Sequence, residues 1–207
     1  MNNSRVRTTS LLGLSAPLIY ATTVLVGAAL RPEYSHLRDP ISSLMAIGSP
    51  NLLLINVLFA IYNLALLMFG LGWWASEKKS SATRLAALMI AAIGFLGLVL
   101  TLYPQDQIGS PVTAGGATHI AISGITALLT MLAMLLRGSA ERAGSRAMSV
   151  YSFASVAFVF VTGGLAAVGI AHGWPLAGLF ERFTIGGFLQ WIFFEAFVLF
   201  YRTRPTP

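Results

Sequence analysis

Residues 52–74 read "LLLINVLFAIYNLALLMFGLGWW", an unbroken apolar stretch without a single charge. A helix that crosses a bilayer needs about 20 mainly apolar residues, whereas a membrane β-strand is about half that length. Barrel strands also alternate polar and apolar positions, and this stretch does not alternate. Inside lipid the backbone must satisfy its own hydrogen bonds. The stretch is therefore a membrane-spanning helix. Working outward, the chain shows six such runs, at about 11–31, 51–75, 83–103, 116–136, 147–171 and 183–201. The expected fold is all-α: a polytopic membrane protein with one six-helix transmembrane domain over 1–207. The first apolar run, Leu11 to Leu30, outlasts the roughly 7–15 residue core of a signal peptide, so it reads as a retained first helix.

Composition agrees. Only 10% of the 207 residues are charged, against about 25% in soluble domains. The formal charge of +6 is not clustered on any soluble segment, which argues against nucleic acid and for membrane lipids as partners. The basic residues divide unevenly among the connections. Arg5, Arg7, Lys78, Lys79, Arg84, Arg137, Arg142, Arg146, Arg202 and Arg204 fall on one side, and Arg31, Arg38 and Arg182 on the other. The positive-inside rule then predicts a multi-pass protein of the cell's inner (cytoplasmic) membrane with both termini cytoplasmic. The absence of cysteine removes disulfides, thiolate zinc sites and thiol catalysis.

This orientation gathers His36, His119, His172, Glu33, Asp39, Asp106 and Glu181 at the outer side. "YSHLRDPISSL", residues 34–44, is the densest cluster. Asp followed by Pro is a helix-start signal, so Asp39 is expected to cap a short outer helix of about 40–47 ending near Gly48. "SP" at 49–50 is expected to cap the second spanning helix in the same way. His36, Arg38, Ser42 and Arg182 form a candidate ligand-binding set. The two arginines would hold a phosphate or carboxylate, or else snorkel to headgroups. Asp39, Asp106, His119 and Glu181 are the candidate acid–base residues. His119 alternatively serves as a hydrogen-bonded histidine inside the bundle, and Glu181 as an ion-pair partner of Arg182.

No cofactor is expected on motif grounds. His36, His119 and His172 are the residues a zinc ion would use, but no two share a helix at ligand spacing and HExxH is absent. A serine hydrolase site at Ser42 or Ser43 lacks the GxSxG context. Within the spans, Asn63 and Glu195 are each about 13 residues from the outer end of their helices. They are expected to meet at one depth, as interhelical glue or as a proton or substrate path.

With "YSHLRDPISSL", "YPQDQIGSPVTAGGATH" (103–119) and "GLFERFTIGGFLQW" (178–191) in this order, the chain resembles the bacterial and archaeal membrane family called domain of unknown function 998. The resemblance covers almost the whole chain. It implies a six-helix bundle with matching positions at His36, Asp39, Ser42, Asp106, His119 and Arg182, and it implies no activity. Family members often carry a Gly soon after the Ile-Ser pair; here "ISSLMAIG" delays it to Gly48. A shorter likeness, in "PIS" and "GSP", is similar to eukaryotic six-helix proteins linked to GPI-anchor remodelling and autophagy.

Three functional readings follow. The first is a polar extracytoplasmic pocket that binds or senses a lipid or other amphiphilic small molecule. The second is a membrane enzyme acting on a lipid or isoprenoid by hydrolysis, acyl transfer or cyclisation. The third is a small proton-coupled transporter, which with six helices would require a homo-oligomer.

Overall fold

A computed structural model describes residues 3–107 and 109–202. Among them are six long helices: α1 (Asn3–Ala29), α2 (Leu52–Ser76), α3 (Ser81–Leu100), α4 (Ala114–Ala140), α5 (Arg146–Ala171) and α6 (Ala177–Arg202). Each is long and apolar enough to cross a membrane. Even the 20-residue α3 reaches about 30 Å at 1.5 Å per residue, the thickness of a hydrocarbon core.

The helices outrun the apolar runs at several ends, because backbone hydrogen bonding continues into residues that hydropathy assigns to loops. α1 starts at Asn3 rather than near residue 11. α4 continues to Ala140 and so takes in Arg137. α6 begins at Ala177, which puts Glu181 and Arg182 in its second turn.

Side-chain caps start three of the helices. Ser80 accepts from the Thr83 amide, Thr113 from Gly116 and Ser145 from Met148. The expected Ser49–Pro50 cap of α2 is not made. Asn51 occupies the cap position in the left-handed region, at φ 61°, without a side-chain bond. Asn is one of the few residues that tolerate that backbone. The Ser49 hydroxyl instead donates to the Ser43 carbonyl at 2.9 Å.

Each helix packs on the next in sequence, and α6 closes on α1, giving a six-membered ring. The α2–α3 seam is the most intimate. A Cβ on Gly70 would lie 2.8 Å from the Ala91 Cα, and one on Gly94 would lie 2.8 Å from the Leu67 Cα. Small residues of this kind let membrane helices approach backbone to backbone.

The two ends of the ring differ. At the end carrying the termini the connections are tight, residues 77–80 and 141–145. There Phe69 stacks on Trp73 at 5.6 Å between centroids, and Trp73 meets Trp191 of α6 at 6.3 Å across the ring. Phe69 and Trp191 are fully buried. The opposite end carries the longer connections 30–51 and 101–113 and the turn 172–176. There the centre of the ring is open.

Candidate functional site

The connection 30–51 folds over the open end and is fastened to both of its neighbours. The Ile47 amide donates to the Gln105 carbonyl at 2.9 Å, and Gln107 Nε2 donates to the Ile47 carbonyl at 2.9 Å. At the start of α6, Gly178 donates to the Arg38 carbonyl at 3.2 Å and Leu179 to the Leu37 carbonyl at 2.9 Å. Those amides belong to the first turn of α6 and would otherwise lack partners. A side chain on Gly178 would collide with the Asp39 carbonyl.

Arg182 locks this lid. Its Nη1 donates to the Asp39 carbonyl at 3.0 Å and the Gly178 carbonyl at 2.8 Å. Its Nε donates to His36 Nδ1 at 3.3 Å, and its Nη2 donates to the Tyr34 hydroxyl. Burial pushes the Tyr34 phenol up to about 12 despite the neighbouring guanidinium. At neutral pH it can therefore also donate, to the Pro40 carbonyl at 3.2 Å.

The cap expected of Asp39 is made by a different residue. The outer helix is a single 3-10 segment, Ile41–Met45, shorter than expected, with Pro40 at the cap position. The Asp39 carboxylate turns back instead. It accepts from the Ser35 amide at 2.8 Å and from Arg38 at 2.7 and 3.0 Å. The Arg38 bond, helped by Ser35, holds its carboxyl below the usual range against the opposing effect of partial burial. With Pro40 interposed, the first amide needing a cap is that of Ile41. It donates at 2.5 Å to Glu181 Oε2, 140 positions along the chain.

Asp106 has a comparable local task. It accepts from both the amide and the hydroxyl of Thr113 at 2.8 Å, and the Thr113 hydroxyl in turn caps α4. His119 lies deeper and is buried, with Nδ1 2.8 Å from the Tyr103 carbonyl. Because a carbonyl only accepts, Nδ1 carries the proton and Nε2 is left as an acceptor. His172 is exposed at the end of α5, with Nδ1 2.9 Å from its own helix's Val168 carbonyl. The histidines are thus dispersed among lid, cavity and turn. No cluster of three His or acidic side chains placed to hold a metal occurs among the described residues.

Beneath the lid lies a cavity of about 230 Å³ walled by all six helices and the 3-10 segment. Phe59, Ile93, Leu100, Val159 and Phe188 give it apolar surface. Its polar lining includes Ser42, Asn63, Glu181, Thr184 and a stripe down α4: His119, Ser123, Thr126 and Thr130. The stripe follows the helical period, so it was readable in the sequence but was missed, as were Tyr20 and Tyr62. Asn63 is only 7% exposed. Its carboxamide sits where a Cβ on Gly97 would be, and it has no hydrogen-bond partner among the described residues. The hydroxyls of Tyr20, Tyr62, Ser42, Ser123 and Thr130 are in the same position, as is Glu181 Oε1. Arg38 and Arg182 do not line this cavity.

Asn63 and Glu195 do not meet. Glu195 faces the packed end, where Arg137 Nε donates to its Oε2 at 3.1 Å. Arg137 also pairs with Glu141. Arg137 is 3% exposed and Glu195 2%. Extension of α4 through Arg137 supplies the countercharge that a loop arginine could not. Glu195 Oε1 remains without a partner.

A closed ring of six lipid-compatible helices under a hydrogen-bonded lid defines a multi-pass integral membrane protein. Over residues 14–198 the chain matches the family model described as Protein of unknown function (DUF998), and it belongs to that family. No curated protein and no solved structure matches it.

Proposed function

We propose that the cavity receives the polar head of an amphiphile taken from the membrane, and that the basic, termini-bearing end faces the cytoplasm. The observation that carries this reading is the set of inward-facing polar groups without partners. The ring keeps Asn63, Glu181 Oε1 and several hydroxyls without protein partners and open to one space, where the donors and acceptors of a guest would complete them. Water alone would satisfy these groups, but the aromatic and aliphatic walls also suit carbon. At about 230 Å³ the cavity is smaller than the roughly 300–1,000 Å³ typical of sites that enclose a whole ligand. A head group with its first few carbons matches that size. The basic residues Lys78, Lys79 and Arg142 in the 77–80 and 141–145 connections support that orientation.

Purification in a mild detergent followed by native mass spectrometry tests the reading. An amphiphile retained by the wild type should be lost when Ser123→Leu or Thr130→Leu fills the cavity, and kept in Arg38→Ala. Equal retention in the filled variants would overturn it.

One observation favours a second reading, a membrane enzyme. Glu181 and His119 line the same cavity, a carboxylate and an imidazole positioned for acid–base work. In that case the retained amphiphile would be a mixture of substrate and product, and Glu181→Gln would leave substrate alone.

A further inference from the structure

Resting on the amphiphile-binding reading, we infer that the head group is a protonated amine, an ammonium carrying N–H donors. Among the described residues the cavity lining contains one carboxylate and no Lys or Arg. Glu181 forms no ion pair there. Its Oε2 takes the Ile41 amide at 2.5 Å, and Oε1 is unpartnered. The adjacent Arg182 makes no direct ion pair with it, because its guanidinium is hydrogen-bonded to the lid, to Tyr34, His36 and two carbonyls, and it acts on Glu181 only from outside the cavity. A carboxyl partly withdrawn from water holds its charge only where a countercharge or a set of donors faces it, and a bound ammonium supplies both. The ring's own fully buried pair shows that this chain provides a countercharge where the role is structural, at Arg137 and Glu195.

The remaining lining has the same preference. His119 Nε2 is an acceptor because Nδ1 is committed to the Tyr103 carbonyl. Asn63 offers a free carbonyl oxygen. Tyr20 packs edge-on against Phe59 at 5.3 Å and Tyr62 at 4.9 Å, forming an aromatic wall. Aromatic faces attract cations. An ammonium on Glu181 would find acceptors and aromatic side chains in the rest of the lining. A phosphate, sulfate or carboxylate would meet Glu181 with no cation among the described lining residues to bind it.

The test uses the full chain in a nonionic detergent and measures affinities for dodecylammonium, dodecanol and dodecyl sulfate. The wild type should bind dodecylammonium at least about tenfold more tightly than dodecanol, the gain expected of a charge-assisted bond, and dodecyl sulfate most weakly. Glu181→Gln, which keeps an acceptor for Ile41, should abolish the preference of dodecylammonium over dodecanol. Lysophosphatidylethanolamine separates the sources of the amine. Binding as tight as dodecylammonium indicates a lipid head, and weaker binding a free long-chain amine. Equal binding of dodecanol and dodecylammonium by the wild type, a measurement that needs no variant, overturns the amine assignment alone. Failure of all the probes to bind overturns the amphiphile reading with it.

Discussion

α6 carries two glutamates, and they stand in opposite surroundings. Glu195, at the packed end, is met by Arg137 and is buried. Glu181, at the lidded end, accepts a hydrogen bond from the Ile41 amide, forms no direct ion pair among the described residues and borders a cavity. The same residue type on one helix thus has a direct ion-pair partner in one place and only a backbone amide as hydrogen-bond partner in the other. An ion pair fixed inside a bundle holds helices in register. An acid with one free oxygen facing a space is arranged for something not part of the chain. Glu195 is therefore read as structure and Glu181 as function.

The largest expected effect breaks the packed end. Arg137→Leu leaves Glu195 buried without its partner and should cost about 3–5 kcal/mol, read as unfolding in detergent. The double variant Arg137→Leu with Glu195→Leu should recover most of that loss, because an apolar pair of similar volume replaces a desolvated one. Glu181→Gln should cost less than about 1 kcal/mol, because its amide oxygen still accepts from Ile41. If the two glutamates proved equally costly to neutralise, the contrast between them would fail.

Next in size is the lid. Arg182 contributes four hydrogen bonds to partners on both sides of the junction between the connection and α6. Arg182→Ala should cost about 2–3 kcal/mol and speed hydrogen exchange at the Ile41, Gly178 and Leu179 amides, leaving those of α3 slow. Arg182→Lys should restore little, since a single ammonium cannot reproduce the planar fork. Unchanged exchange at all three amides in Arg182→Ala would show that the lid is held by other contacts.

A smaller effect sharpens the contrast from the cavity side. Thr130→Val replaces an unpartnered hydroxyl with a methyl of the same shape and should change stability by no more than about 1 kcal/mol. Ser152→Ala at the packed end removes the acceptor of the fully buried Trp191 indole N–H, bonded at 3.1 Å. It should destabilise by about 1–3 kcal/mol. A cavity hydroxyl as costly to remove as the Ser152 hydroxyl would mean that the cavity's polarity is structural.

The spans were legible because lipid leaves the backbone one local solution, and runs such as 52–74 announce it without reference to any other part of the chain. The site was less legible, for three separable reasons. The α4 stripe His119–Ser123–Thr126–Thr130 is periodic, but hydroxyls in membrane helices commonly bond to their own preceding turn, as Thr118 does to Ala114. Period alone therefore does not mark a cavity wall. Arg137 was counted with the loop charges because charge is scored by composition, whereas its burial depends on Glu195, 58 positions away. The cap given to Asp39 obeyed a sound local rule, but Arg38 competes for the same carboxylate. The acceptor actually used comes from α6, and no local rule contains it.

The smallest effect concerns that displaced carboxylate. If Asp39 is a local clasp for the turn 35–39 and not the cap of the 3-10 segment, Asp39→Asn should cost less than about 1 kcal/mol, as partly exposed ion pairs do. The Ile41 amide should remain protected. The pH dependence has a defined sign. Asp39 is held below its ordinary value of about 3.9 in the folded chain. Its contribution is therefore present above that value and is lost as pH falls through the lower, folded one. The Ser35 amide donates directly to this carboxylate at 2.8 Å, so its NMR shift reports the titration. The midpoint should lie below about 3.9 in the wild type, and Asp39→Asn should show no transition. A midpoint at or above that value would return Asp39 to the solvent and leave the fold of the lid to Arg182 and Glu181 alone.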